Sequence, residues 1–257
     1  MSTTSPQHRS RGRASHRPRK TATLLAQRIV SEIADRHLEP GTALPSEREM
    51  LEEYGVARGT LREALRFLEI QGVITIKTGP GGGPIVAQPK SRHFASIIAM
   101  LLQLTHTSFR SVLEARNVLE PALARMAATR ITDEQLAALE ESVKAMRENI
   151  EDSEHFLAEN ERFHATIAEA AGNPVFSLII SSLNWIADAT PLSVEYPPKT
   201  RQAICKEHSR IIKAIAARDP DRAAAAMAVH IGDFATYLER NYPQVVDAPL
   251  RWDQIDP

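Results

Sequence analysis

The chain has 257 residues, 43% of them hydrophobic, with 31 Lys and Arg against 32 Asp and Glu, 9 His and a single Cys. That is enough apolar material for one large core or two ordinary ones, while one thiol excludes an internal disulfide framework and suits a reducing compartment. No apolar run approaches the roughly 18 residues of a membrane-spanning helix, and the arginine-rich start lacks the apolar segment of a secretory signal, so the reading is a soluble, cytoplasmic protein with no membrane partner.

Net charge conceals a division. Through Lys90 there are 14 Lys or Arg and 9 Asp or Glu, a net of +5; from Ser91 onward the counts are 17 and 23, a net of −6. The two parts are expected to meet different partners. Arg9, Arg11, Arg13, Arg17, Arg19 and Lys20 crowd the first twenty positions, and no acid precedes Glu32. Residues 1–20 read as a basic disordered arm, either simply solvated or laid against phosphates.

Between Thr23 and Leu38, Leu25, Ile29 and Ile33 recur at helical spacing, and Pro40-Gly41 ends that helix. Ser46 with Glu49 forms a capping box that opens a second helix through Tyr54, closed by Gly55. A third runs from about Arg58 to Gln71 with Leu61, Leu65 and Leu68 inward, and Gly72 stops it. VITIK and PIVA, residues 73–77 and 84–87, are separated by glycines and prolines and read as a hairpin. Together these describe a winged helix-turn-helix over residues 21–88. In that arrangement the third helix can present its first turn to base edges in the major groove, with the hairpin reaching along the neighbouring groove. Its outward face carries Arg58, Thr60, Arg62 and Arg66, donor types that contact guanine edges and phosphates, although arginines on an exposed face are commonly only solvated. The glycine run invites comparison with a phosphate-cradling loop. Pro84 stands where such a loop needs Lys, or where a dinucleotide fingerprint needs its third Gly, so a wing tip is the better account.

The stretch LPSEREMLEEYGVARGTLREALRFLEIQGVITIKTGPGGGPIV resembles the DNA-binding domain of the GntR family of bacterial transcription regulators. The resemblance implies that Arg48, Arg58, Thr60, Arg62 and the wing's Gly79 touch double-stranded DNA. It departs at Ala57, where Ser or Thr is usual. Alanine at a helix N-cap costs about 1 kcal/mol and removes a hydroxyl that could reach phosphate.

From Arg92 to Asn241 nearly every segment has a helical period, with helices near 92–104, 108–129, 132–151, 153–171, 174–189, 200–218 and 220–240. Thr132 with Gln135 is a capping box, and Pro121 is expected to kink the second of these helices. The expectation is a mainly α chain, its C-terminal part an antiparallel all-α bundle of seven helices over residues 92–241. An aperiodic, poorly ordered tail is expected at 242–257.

Polar groups interrupt three of the buried stripes. Asn160 and His164 sit one turn apart beside Phe156, Phe163 and Ile167; His208 lies among Ile204, Ile211 and Ile215; His230 lies between Met227 and Phe234. A buried polar group without a partner costs roughly 1 to 3 kcal/mol. One divalent ion shared by the three imidazoles and the Asn160 carbonyl would satisfy all four, although any single such histidine is more often bonded to a core neighbour. Arg116 shares a face with Val112, Leu113, Leu119 and Leu123. It either pairs internally with Glu120 or grips the carboxylate of an effector bidentately.

The segments NERFHATIAEAAGNP and KEHSRIIKAIAARDPDRAAAAMAVH resemble the FCD effector domain of the FadR subfamily of GntR regulators. The resemblance implies Asn160, His164, His208 and His230 as metal ligands, zinc first with nickel or manganese as alternatives, and a small organic acid as effector. Asn160 stands where Asp is usual, so the site is expected to lean on an anionic effector to complete and neutralise it. The function expected is that of a homodimeric, metabolite-responsive transcription regulator, a repressor by resemblance, on a palindromic operator. Two alternatives stand beside it. One is a metal-dependent hydrolytic enzyme, for which no acid is evident beside the histidines, Glu169 and Asp233 being nearest by spacing; the other is a pure metal sensor.

Overall fold

The computed structural model describes residues 17–79, 81–189 and 196–254, and the chain divides into two compact units, Met1–Lys90 and Ser91–Pro257. The expected basic arm as far as His16 lies outside the described residues, and Arg17 to Lys20 already belong to the first helix. Among the described residues no helix is long and apolar enough to cross a membrane.

The first unit runs α1 (Arg17–Asp35), α2 (Glu47–Tyr54), α3 (Arg58–Ile70), β1 (Ile74–Lys77) and β2 (Gly83–Val86). Its core joins Leu25, Ala26 and Ile29 of α1 to Met50 of α2 and Leu61, Leu65 and Leu68 of α3. Each large side chain so buried contributes about 1.5–3 kcal/mol. Ser46 caps α2 in the reciprocal box with Glu49, and Gly55 closes it at φ 61°, a left-handed conformation that favours glycine. Ala57 has the extended backbone of an N-cap and, lacking a hydroxyl, makes no side-chain bond to α3. The strands pair antiparallel from Ile74 opposite Val86 to Lys77 opposite Gly83, and Ala43 bridges to Ile85 on the free side of β2. At the wing turn a Cβ on Gly82 would lie 2.2 Å from the Lys77 carbonyl oxygen, so this loop closes only around glycine.

The second unit runs α4 (Ser91–Leu104), α5 (Phe109–Arg130), α6 (Asp133–Glu148), α7 (Ser153–Ala170), α8 (Pro174–Ala189), α9 (Pro198–Ala216), α10 (Pro220–Asn241) and the short α11 (Pro243–Val246). The seven long helices stand on the seven expected segments, and α5 continues through Pro121. Thr132 and Gln135 form the expected box on α6, and the Asp152 and Asp219 carboxylates cap α7 and α10. Two clusters make the core: one around Met146, Phe156, Phe163, Ile211 and Met227, the other around Phe109, Leu113, Ile180, Ile186 and Leu238.

The stretch after Asn241 departs from the expected loose tail. It buries Val246 and Leu250 and is tied to the start of α5, where the Phe109 amide donates to Ala248 and the Leu250 amide donates to Thr107. Backbone bonds and two isolated apolar anchors hold it, neither of which leaves a period in the sequence.

Candidate metal centre and DNA-binding face

Helices α7, α9 and α10 each turn one imidazole to a common point. His164, His208 and His230 are all buried, and one ligand nitrogen from each lies within 4.8 Å of the other two. The Nε2 of His230 sits 3.2 Å from that of His208 and 3.3 Å from that of His164. Phe163 backs the group: its ring stacks on His208 with centroids 3.9 Å apart and planes 7° from parallel.

The other face of two of these rings meets a carboxylate. Oε2 of Glu120, from α5, lies 2.6 Å from His164 Nδ1, and Oε2 of Glu207, from α9, lies 2.9 Å from His230 Nδ1. A carboxylate oxygen accepts, so the proton of each neutral ring is assigned to Nδ1. Both Nε2 atoms then present lone pairs to one another at 3.3 Å, a repulsive arrangement unless a proton or a cation lies between them. A second proton is opposed by the surroundings. Burial lowers the pKa of the His164 imidazole despite the Glu120 carboxylate, and burial with the neighbouring His230 and His164 lowers that of His208 well below its ordinary value.

A metal ion answers the same geometry. Two imidazole nitrogens each about 2.1 Å from one zinc, at angles between square and tetrahedral, stand about 3.0–3.4 Å apart, the spacing seen here. The carboxylate–histidine pairing is itself the arrangement that aims an imidazole at a metal. The three histidines therefore form a triad that could hold a metal ion.

Asn160 is half-buried, in the wall of a small recess of about 30 Å³ that Arg116, His164 and His230 also line. A larger cavity of about 320 Å³ adjoins it, walled by Tyr196, Lys199, Glu207, His230, Phe234 and Tyr237. Tyr196, Ile204, His230 and Phe234 border both.

Arg116 forms the internal pair: its Nε donates to Glu120 Oε1 at 2.8 Å, both groups are buried, and the guanidinium lies over the Phe234 ring. Burial alone would raise the Glu120 carboxyl, but the His164 Nδ1–H and the Arg116 guanidinium hold it well below the usual carboxylate range.

Sequence reasoning missed the two carboxylates. It looked to Glu169, which is exposed, and Asp233, which is exposed on the rim of the larger cavity. Glu120 reaches His164 through the packing of α5 on α7, and Glu207 reaches across to α10 rather than to its neighbour His208. Only the Arg116–Glu120 spacing was visible beforehand.

On the first unit Arg48, Arg58, Arg62 and Arg66 are exposed, Thr60 is half-buried in the first turn of α3, and Gly79 takes φ 99° in the wing turn. Arg62 Nε lies 3.2 Å from Glu47, and Arg48 lies 4.0 Å from Glu52. Such exposed pairs contribute about 0–1 kcal/mol, so giving them up to phosphate costs little.

A winged helix-turn-helix with an arginine face, carried on one chain with a helical domain that gathers three buried histidines beside a cavity, defines a DNA-binding transcription regulator. The chain belongs to the GntR family: the pattern of bacterial regulatory proteins of the gntR family matches residues 21–82, and that of the FCD domain matches residues 111–233. It is 31% identical over 235 residues to the HTH-type transcriptional repressor NanR of Cronobacter sakazakii, covering 89% of this chain and 90% of that one. Over 221 residues it is 31% identical to the NanR repressor of Salmonella typhimurium, covering 80% and 83%. Among solved structures it resembles Streptococcus agalactiae GntR, with a TM-score of 0.68 and 26% identity over 84% of this chain and 99% of that one. These domains and relatives are transcription regulators, not enzymes.

Proposed function

We propose that this protein is a cytoplasmic homodimeric repressor whose two winged units read the half-sites of a palindromic operator and whose helical domain senses a small organic acid beside a divalent metal. The observation that carries the sensing part is the convergence of three buried Nε2 atoms, those of His164 and His230 only 3.3 Å apart. His164, His208 and His230 would hold the ion, zinc before nickel or manganese, with the Asn160 oxygen as a further donor from the recess wall. Bound there, a divalent metal supplies a positive Lewis-acid anchor for a carboxylate. Three neutral imidazoles and an amide carry no charge of their own, and of the carboxylates behind the rings Glu120 is already paired with Arg116, which leaves an anionic effector favoured. Arg116, on the wall of the recess, is the residue proposed to meet that effector's carboxylate.

On the DNA side, Arg58, Thr60 and Arg62 would enter the major groove, Arg48 would meet phosphate from α2, and Gly79 would let the wing approach the neighbouring groove. The repressor sign is supported by the NanR relatives, which are named as repressors.

A thermal-shift screen of organic acids, with and without chelator, tests the sensing part because a ligand of the folded state raises its melting temperature. Operator binding is then followed by fluorescence anisotropy with the best acid. An acid that stabilises only the metal-loaded protein and weakens operator binding is expected. Metal alone moving operator affinity, with every acid silent, would replace this reading by that of a pure metal sensor.

A further inference from the structure

Glu120 has its two oxygens committed in different directions. Oε1 accepts from Arg116 Nε at 2.8 Å, on the wall of the recess; Oε2 lies 2.6 Å from His164 Nδ1, behind the triad. All three side chains are at least nine-tenths buried, so neither bond is readily exchanged for one to bulk solvent. A carboxylate shared in this way cannot move towards one partner without moving from the other. We propose that Glu120 is a positioning residue that fixes the His164 ring for metal binding and transmits the state of Arg116 to the histidine triad.

This inference rests on the metal-and-effector reading above and deepens it. An anion that draws the guanidinium aside releases Oε1, frees Glu120 to shift, and so alters how His164 Nε2 is aimed. By linkage the reverse also holds, and metal occupancy changes the affinity for the anion by the same factor. His230 has its own carboxylate, Glu207, which pairs with no arginine among the described residues, and burial and the two other imidazoles, not a carboxylate, dominate the surroundings of His208. Of the three imidazoles, His164 is thus the one tied through a carboxylate to an arginine in the recess wall.

Glutamine at this position keeps the shape but can accept at only one end. Its NH₂ would face a second donor, either Arg116 or the His164 Nδ1–H. The test is titration of the chelator-stripped, full-length protein with Co²⁺ alone, reading affinity and the visible absorption bands of the bound ion. The wild type, Glu120→Gln, Arg116→Lys and the double variant are compared, with folding checked by circular dichroism. Loss of a group that orients a metal-binding histidine costs about 10–100-fold in metal affinity, which is the change expected for Glu120→Gln, with shifted bands. Arg116→Lys, which replaces a fixed fork by a point charge, is expected to weaken Co²⁺ binding several-fold in the native background and not further in the Glu120→Gln background.

If Glu120→Gln fails to fold, Glu120→Asp, which keeps the charge and shortens the reach, takes its place in the same cycle. Unchanged Co²⁺ affinity and bands in the Glu120 variant would overturn the positioning role, and additive losses would overturn the transmission. If the wild type shows no Co²⁺ band that His208→Ala abolishes, the metal reading falls and this inference with it. A histidine-dependent band indifferent to Glu120 overturns this inference alone.

Discussion

Two protons decide what the triad can be. With Glu120 and Glu207 against Nδ1 of His164 and His230, the Nε2 atoms of those two rings cannot donate to one another, which turns two lone pairs inward beside His208 Nε2. The interruption of three apolar stripes by histidine is visible in the sequence, since a polar residue breaking a 3.6 period stands out. The carboxylates are not, because each contacts a histidine on another helix. The same burial gives a pH dependence. An unfolded histidine takes up a proton near pH 6.5, whereas burial keeps His208 neutral in the folded chain. Its contribution to stability is therefore present above about pH 6.5 and lost as the pH falls below it. Urea midpoints of chelator-treated protein should drop between about pH 7.5 and 5.5, and His208→Ala should flatten part of that fall. Equal midpoints at the two pH values would contradict it.

Elements were legible wherever local chemistry sets a boundary. The boxes at Ser46 and Thr132 and the glycine closing α2 follow from groups within four residues of one another, and the hairpin from two short β-rich runs on either side of one glycine-rich turn. The segment after Asn241 was not, since its anchors Val246 and Leu250 act through distant partners. Two substitutions probe this level. Ala57 already has N-cap geometry, with φ −69° and ψ 148°, so Ala57→Ser should gain a bond to α3 and stabilise the first unit by about 1 kcal/mol, read from its denaturant midpoint. Gly82→Ala should open the wing turn, because the added methyl meets the Lys77 carbonyl. Operator affinity should fall while far-ultraviolet dichroism and Co²⁺ binding stay as in the native protein; undiminished affinity would remove the wing from the interface.

Across the whole molecule, charge and core divide at the same place. The part through Lys90 carries +5 and one apolar core, and the part after it carries −6 and two clusters of its own. Metal bound in the second unit should raise the melting of that unit alone, by about 4 kcal/mol at a thousandfold excess over the dissociation constant. Calorimetry with and without chelator should show one transition that moves and one that does not; a joint shift would mean that the units melt as one. The triad itself has a mechanical meaning. Its three nitrogens come from three separate helices, and an ion held by them would leave about 0.2 Å of tolerance in each metal–ligand distance. Regulatory helix displacements run to about 1–2 Å, several times that margin. Holding an ion, the centre would work as a vernier, registering whether α7, α9 and α10 are in line and turning a graded slide of any one of them into an abrupt gain or loss of that ion.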